Sequence, residues 1–295
     1  MSITIRNYEE KDLEFVQQRD FLLWLKIQYQ SDYINENIFT AVDEDKNVIG
    51  VTSLSFHSSW YAMDKHILHK LQYDIVVDEK SQCAGLAKNL LMDKLIEKYN
   101  SYQKEYSSRK ICICGWCGAD EIGEMQFLLT KGFAMSCVIP VLRYDLTKEI
   151  KHCEIPENIF VDQYTLNENT IDKFIEATAL ANDDIADSKG ELSFRSGGEG
   201  FKIFTATDNG KIVSAITLWD IGEGRSATEN IFTIPDYRRK NIAREIIATG
   251  LQSLKDSGKK IATLSMNGEN LNAMKLYLSI GYELMYNLVE MRYDV

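Results

Sequence analysis

N-I-F-T-I-P-D-Y-R-R-K-N-I-A, from Asn230 to Ala243, is an apolar run that passes through Pro235 into a basic turn and then opens a helical pattern. The run before the proline reads as a strand, predicted over Thr228 to Ile234. Behind the turn, Ile242, Ile246, Ile247 and Leu251 recur at helical spacing, and Gly258 follows a helix predicted from Ile242 to Asp256. A strand that turns directly into a helix leaves the first helical N–H groups without partners. The helix dipole adds positive potential there, so such a turn suits an anion.

A second segment completes the pattern. N-x-x-A-x-x-L-Y-x-x-x-G-Y runs from Asn270 to Tyr282. Asn270 stands where an N-cap belongs, Ala273, Leu276 and Ile280 share one face, and Gly281 ends the helix. Tyr277 follows Leu276.

The chain repeats itself. G-F-A-M-S-C-V-I-P-V-L-R-Y-D-L begins at Gly132, and G-Y-E-L-M-Y-N-L-V-E-M-R-Y-D-V begins at Gly281, 149 residues later. Upstream, Y-D-I-V-V-D-E-K-S-Q-C-A-G-L-A ends at Ala87, 156 residues before Ala243, and Leu86, Leu90, Leu91 and Leu95 fall on Ile242, Ile246, Ile247 and Leu251. The two offsets differ by seven, which places seven extra residues in the first copy, within the polar stretch Tyr99 to Lys110. A repeat this long means two domains of one fold. They are expected at residues 1–147 and 156–295, with Thr147 to Asn158 as linker.

Each copy is read as an α/β (α+β) unit, a mixed sheet flanked by helices. The second has strands at Ile159 to Tyr164, Lys202 to Thr207, Lys211 to Trp219 and Lys260 to Met266, helices at Asn167 to Asn182 and Leu271 to Ser279, and a Gly-rich turn at Asp220 to Arg225. The first follows the same order, with a strand at Ile3 to Asn7, one helix from Leu13 to Tyr29, a hairpin of Phe39 to Asp43 with Val48 to Ser55, and a strand at Gln72 to Val77.

This order and both motifs resemble the GNAT superfamily of N-acetyltransferases, here as two tandem domains covering essentially the whole chain. The family's acetyl-CoA signature is Gln or Arg, two residues, Gly, one residue, then Gly or Ala. The first copy has it complete, from Gln82 through Gly85 to Ala87, whereas the second reads Arg238-Arg239-Lys240-Asn241-Ile242-Ala243 with Asn in the glycine position. Asn is the common non-glycine residue at positive φ, so the departure is compatible with the same turn.

The resemblance implies an acetyl-CoA-dependent transferase acting on a primary amine, without a metal. Backbone N–H groups from Arg238 to Ala243, with three cationic side chains, would hold the pyrophosphate. Thr233 and Ile234 would offer N–H groups to the thioester carbonyl, and Asn270 would cap the helix beside the cofactor. Tyr277 matches the tyrosine that protonates the departing thiolate, which its ordinary pKa near 10 suits. Glu229 is the candidate general base, with Asp220 and Glu223 as alternatives. The first copy has Leu128, Glu121 and Glu124 in place of Tyr277, Asn270 and Ala273. The second domain is therefore expected to be catalytic and the first degenerate or structural. A non-catalytic acyl-CoA-binding sensor or scaffold, and a transferase with another acyl donor, are the competing readings.

The formal net charge of −11 disfavours a nucleic-acid partner and is compatible with a cationic amine, whether small molecule or peptide. No apolar run is long enough to cross a bilayer and the N-terminus carries no signal-peptide pattern, so the cytoplasm is the expected compartment and no membrane partner is expected. The two copies are expected to pair as a pseudo-dimer within a monomer, or the chain to form a homodimer. Cys112, Cys114 and Cys117 form C-x-C-x-x-C, but they lie in an apolar strand and no His or fourth Cys follows at zinc-site spacing, so they read as buried thiols. His66 and His69 likewise lack anything nearby to complete a site.

Overall fold

The repeat in the sequence appears as two compact units in a computed structural model that describes every residue except Met1, Asp32, Glu223 and Val295. The units do not follow the repeat boundaries. The first takes in the chain up to Trp116, then Ile122–Met135, and the chain again from Met291. The second comprises Cys117–Glu121 and Ser136–Glu290.

In chain order the first repeat supplies β1 (Thr4–Asn7), α1 (Leu13–Gln17), α2 (Phe21–Tyr29), β2 (Ile38–Val42), β3 (Val48–Phe56), β4 (Leu68–Val77), α3 (Ala84–Glu105), β5 (Lys110–Gly118), α4 (Ile122–Thr130) and β6 (Ala134–Asp145). Strands β1 to β5 lie side by side in sequence order, antiparallel except for β4 and β5. The single helix expected over Leu13 to Tyr29 is two helices. Asp20 leaves the helical region (φ −140°) and its carboxylate accepts from the Leu23 N–H at 2.9 Å, so it caps α2 rather than extending α1. The extra residues of this copy mostly lengthen α3, because Tyr99 and Tyr102 are buried and tied down by their hydroxyls, to Ile111 O at 3.0 Å and Asn37 Oδ1 at 2.9 Å.

The second repeat supplies β7 (Ile159–Tyr164), α5 (Ile171–Ala181), α6 (Lys189–Ser196), β8 (Lys202–Asp208), β9 (Lys211–Gly222), β10 (Arg225–Thr233), α7 (Ile242–Asp256), β11 (Ile261–Ser265), α8 (Leu271–Ile280) and β12 (Glu283–Tyr293). Within the second unit the strand order is β12-β6-β11-β10-β9-β8-β7, with β10 and β11 parallel and β6 antiparallel to β11. Strand β9 runs to Gly222 and β10 begins at Arg225, so both strands extend into the stretch expected to be a Gly-rich turn. Helix α6 has no counterpart in the sequence reading. The core of the second unit contains Ile203, Ile216, Leu218, Ile246, Ile247 and Leu251, and α7 lies directly on β9, since a Cβ at Gly250 would meet Ile216 and Leu218.

Two features of this unit position the site. The parallel rungs of β10 and β11 stop at Ala227–Thr263, although β10 runs on to Thr233 and β11 to Ser265. A gap therefore opens beside the second half of β10. There, the register on β9 moves from Glu229–Thr217 to Phe232–Ala215, three residues against two, and Asn230 takes φ 46°. This is a β-bulge, and it bends the strand at the gap. In the first unit β4 pairs with β3 without interruption from Leu71 to Val77.

Candidate acyl-donor and acceptor site

The turn after β10 presents its backbone outward. Pro235 to Tyr237 form a single 3-10 turn, and then Arg239 and Asn241 both adopt left-handed angles, φ 61° and 60°. Alternating left-handed residues turn successive N–H groups to one side, a nest for an anion. Among the described residues no acceptor meets the N–H groups of Arg239, Lys240 or Asn241. Ile242 and Ala243 follow in the first turn of α7, where N–H groups lack intrahelical partners. Asn241 thus does in backbone terms what glycine does elsewhere.

The side chains of the basic turn divide. Arg238 is structural: its Nε donates to Thr233 O at 3.0 Å and its Nη2 to Ala181 O at 2.9 Å. Lys240 sits 5.0 Å from the centroid of the Tyr237 ring. Arg239 makes no ion pair among the described residues, so it is the cation left to meet a ligand.

In the first unit the complete signature has a different conformation. Helix α3 already starts at Ala84, so Gly85 and Ala87 are helical, and Cys83 has φ −98°. Its turn satisfies itself: Ser81 N–H donates to Asp78 O, Ala84 N–H to Ser81 O and Cys83 N–H to Ser81 Oγ, at 2.8, 3.1 and 3.2 Å. Gln82 lies in the same closed turn. A cavity of about 570 Å³ remains along the end of β4, lined by Ile75, Val76, Val77, Asp78 and Lys88 among others. Lys88 pairs with Glu124 across α3 and α4, and Leu128 is fully buried.

Along β10 the predicted oxyanion donors differ. Ile234 N–H donates to Val213 O at 2.9 Å, so that peptide is spent within the sheet and the expected role for it does not hold. By the alternation of an antiparallel strand, the neighbouring Thr233 N–H points the other way, into the gap.

Helix α8 carries the second motif as expected. Asn270 caps it, its side chain accepting from Ala273 N–H at 3.1 Å, and Gly281 closes it at φ 115°. Tyr277 is only 7% exposed, and burial pushes its pKa up to about 12. Its ring stands edge-on to Tyr282, at 5.7 Å between centroids, and the Tyr282 hydroxyl lies against Thr228. Thr228 is the first residue of β10 beyond the last rung, and its Oγ1 donates to Thr263 O at 3.0 Å. Arg244 Nη2 reaches Ser279 Oγ at 2.7 Å, which fixes α8 beside the start of α7.

The carboxylates sort by environment. Asp220 is committed to structure, bound by Lys259 and by Ser226 Oγ at 2.7 Å. Glu223 lies outside the described residues. Glu229 Oε2 is 3.1 Å from Arg195 Nη1 on α6, a residue that the sequence reading missed because α6 itself was not apparent. Arg195 also meets Asp187 Oδ2 at 3.1 Å and Glu191 Oε1 at 2.5 Å, and Asn230 Nδ2 donates to Asp187 Oδ2 at 2.8 Å. Burial works against the guanidinium charge, but Asp187, Glu191 and Glu229 outweigh it and raise its pKa above the ordinary arginine value. Glu229 Oε2, the oxygen on the Arg195 side, is thus engaged in an ion pair rather than left free along β10.

Among the described residues there is no group of three or more His, Cys, Asp or Glu side chains placed to hold a metal ion, and no helix long and apolar enough to cross a membrane. None of the six cysteines is in a disulfide, and Cys112, Cys114 and Cys117 are buried.

Comparison with known proteins follows the second unit. Residues 164–282 match the acetyltransferase (GNAT) family. The fold of the whole chain is similar to a GCN5-related N-acetyltransferase from Sphaerobacter thermophilus (TM-score 0.66, 14% identity, 99% of this chain and 95% of that one). It is also similar to a tandem GNAT protein from the clavulanic acid biosynthesis pathway (0.67, 11%, 99% and 98%) and to a GCN5-related N-acetyltransferase from Kribbella flavida (0.63, 10%, 99% and 72%). No curated protein matches the chain.

Proposed function

Because residues 164–282 match the acetyltransferase (GNAT) family and the whole chain is similar in fold to a tandem GNAT protein, we propose that its second unit transfers an acetyl group from acetyl-CoA to a primary amine. The observation that carries this reading is the open nest at Arg239 and Asn241, with three N–H groups that meet no acceptor among the described residues.

These N–H groups, the α7 dipole and Arg239 would hold the pyrophosphate. The gap beside β10 would receive the thioester arm, with Thr233 N–H directed at its carbonyl oxygen. The neutral amine attacks that carbonyl, and the C–S bond breaks as the C–N bond forms. Tyr277, kept protonated by burial, gives its proton to the departing thiolate. Holding both reactants in one groove supplies much of the acceleration. The first unit has neither the bulge, the nest nor the tyrosine, which supports a structural role for it.

The test is acetyl-CoA consumption, followed by release of free thiol, against a panel of primary amines. Amine-dependent release that disappears when the nest is closed by Asn241→Val supports the proposal. Tight acetyl-CoA binding with no amine-dependent release would leave a binding module instead.

A further inference from the structure

The face of the sheet under α6 holds polar atoms without a hydrogen-bond partner among the described residues. Ile216 and Leu218 face α7, so alternation puts Thr217 and Trp219 on the opposite face of β9. Glu229 is the register partner of Thr217 on β10 and points the same way, towards Arg195. Thr217 is 0% exposed, and its hydroxyl has no hydrogen-bond partner among the described residues. Glu229 Oε2, although ion-paired with Arg195, is buried and likewise accepts no aligned hydrogen bond. Unpaired buried polar groups are costly, and a pair of them side by side next to a reaction groove is an arrangement that a ligand completes.

The charge of this place is uneven. Asp187, Glu191 and Glu229 surround one guanidinium, leaving two negative charges in excess. Arg195 and Asn230 both donate to Oδ2 of Asp187, and alternation puts Trp219 on the same face of β9 as Thr217.

We propose that the acceptor is a diamine or polyamine, whose non-reacting ammonium docks against Glu229 and Thr217 while its other amine enters the gap beside β10. Arg195 is then a positioning residue that fixes the Glu229 carboxylate. This rests on the transferase reading for the reacting end, but the ammonium site itself can be tested without turnover.

Binding of 1,4-diaminobutane and of n-butylamine is measured by calorimetry, with and without coenzyme A, on the full chain. The diamine is expected to bind at least about 10-fold more tightly, the worth of one charged hydrogen bond. Glu229→Gln and Thr217→Val, both near-isosteric, should each erase most of that preference while the melting temperature stays close to that of the parent. In turnover the same variants should raise KM for the diamine. Equal binding of the two amines, or a preference that survives both substitutions, overturns the proposal. If the diamine preference is present and sensitive to Glu229→Gln but no amine is acetylated, the ammonium site stands and the acetyl-transfer reading falls.

Discussion

Arg239 and Asn241, two positions apart, share a left-handed backbone, and their counterparts in the first repeat, Cys83 and Gly85, do not. The copy with the intact signature is therefore the one with the closed turn. Glycine permits the nest without requiring it, and in the first unit the helix extends back over the position instead.

Replacing Asn241 separates these effects. Asn241→Ala should cost about 1 kcal/mol, because an ordinary side chain resists positive φ, and should raise the KM for acetyl-CoA. Asn241→Gly should keep the turn and bind acetyl-CoA at least as well. Thermal unfolding and donor saturation curves for the two variants check this, and similar behaviour of Ala and Gly would refute the conformational argument.

Gly85 should behave in the opposite way. It is helical, and a Cβ there meets nothing within 4 Å. Gly85→Ala should stabilise the protein by roughly 0.5–1 kcal/mol through helix propensity, with no change in turnover. A loss of acetyl-CoA binding would show that the first unit uses this turn for the cofactor after all.

Tyr277→Phe should lower kcat by on the order of 100-fold, at the low end for general acid catalysis because a thiolate is a good leaving group. KM for acetyl-CoA should change little. Single-turnover measurement of thiol release would establish whether the lost step is the chemical one.

The same residue ties stability to alkaline pH. Tyr277 has a folded pKa of about 12, above the unfolded value near 10. The folded state therefore binds the extra proton between those values, and its contribution to stability is complete below pH 10 and lost as pH rises towards 12. Denaturant unfolding from pH 9 to 12 should show a decline that Tyr277→Phe lessens. An identical decline in the variant would assign the effect to other tyrosines.

Much of this could be read in the chain. Helix α7 is found at its predicted bounds because Ile242, Ile246, Ile247 and Leu251 form a continuous buried stripe. Helix α6 escaped because K-G-E-L-S-F-R-S contains a glycine and buries only Gly190 and Leu192, so no periodicity marks it. With α6 hidden, the Arg195 partner of Glu229 was hidden too, and Glu229 read as an unencumbered base. The closed turn of the first unit was equally out of reach. It depends on Asp78 and Ser81 competing for N–H groups that the signature treats as free.

The unit boundaries carry a consequence for how this protein is made. The first unit includes the chain from Met291, separated from Met135 by nearly all of the second repeat. At ribosomal speed that interval takes on the order of ten seconds, during which the first unit waits with part of its chain unmade. The first unit is therefore complete only when the last strand of the chain has been made, and a cut at the linker would part each unit from a segment of its own.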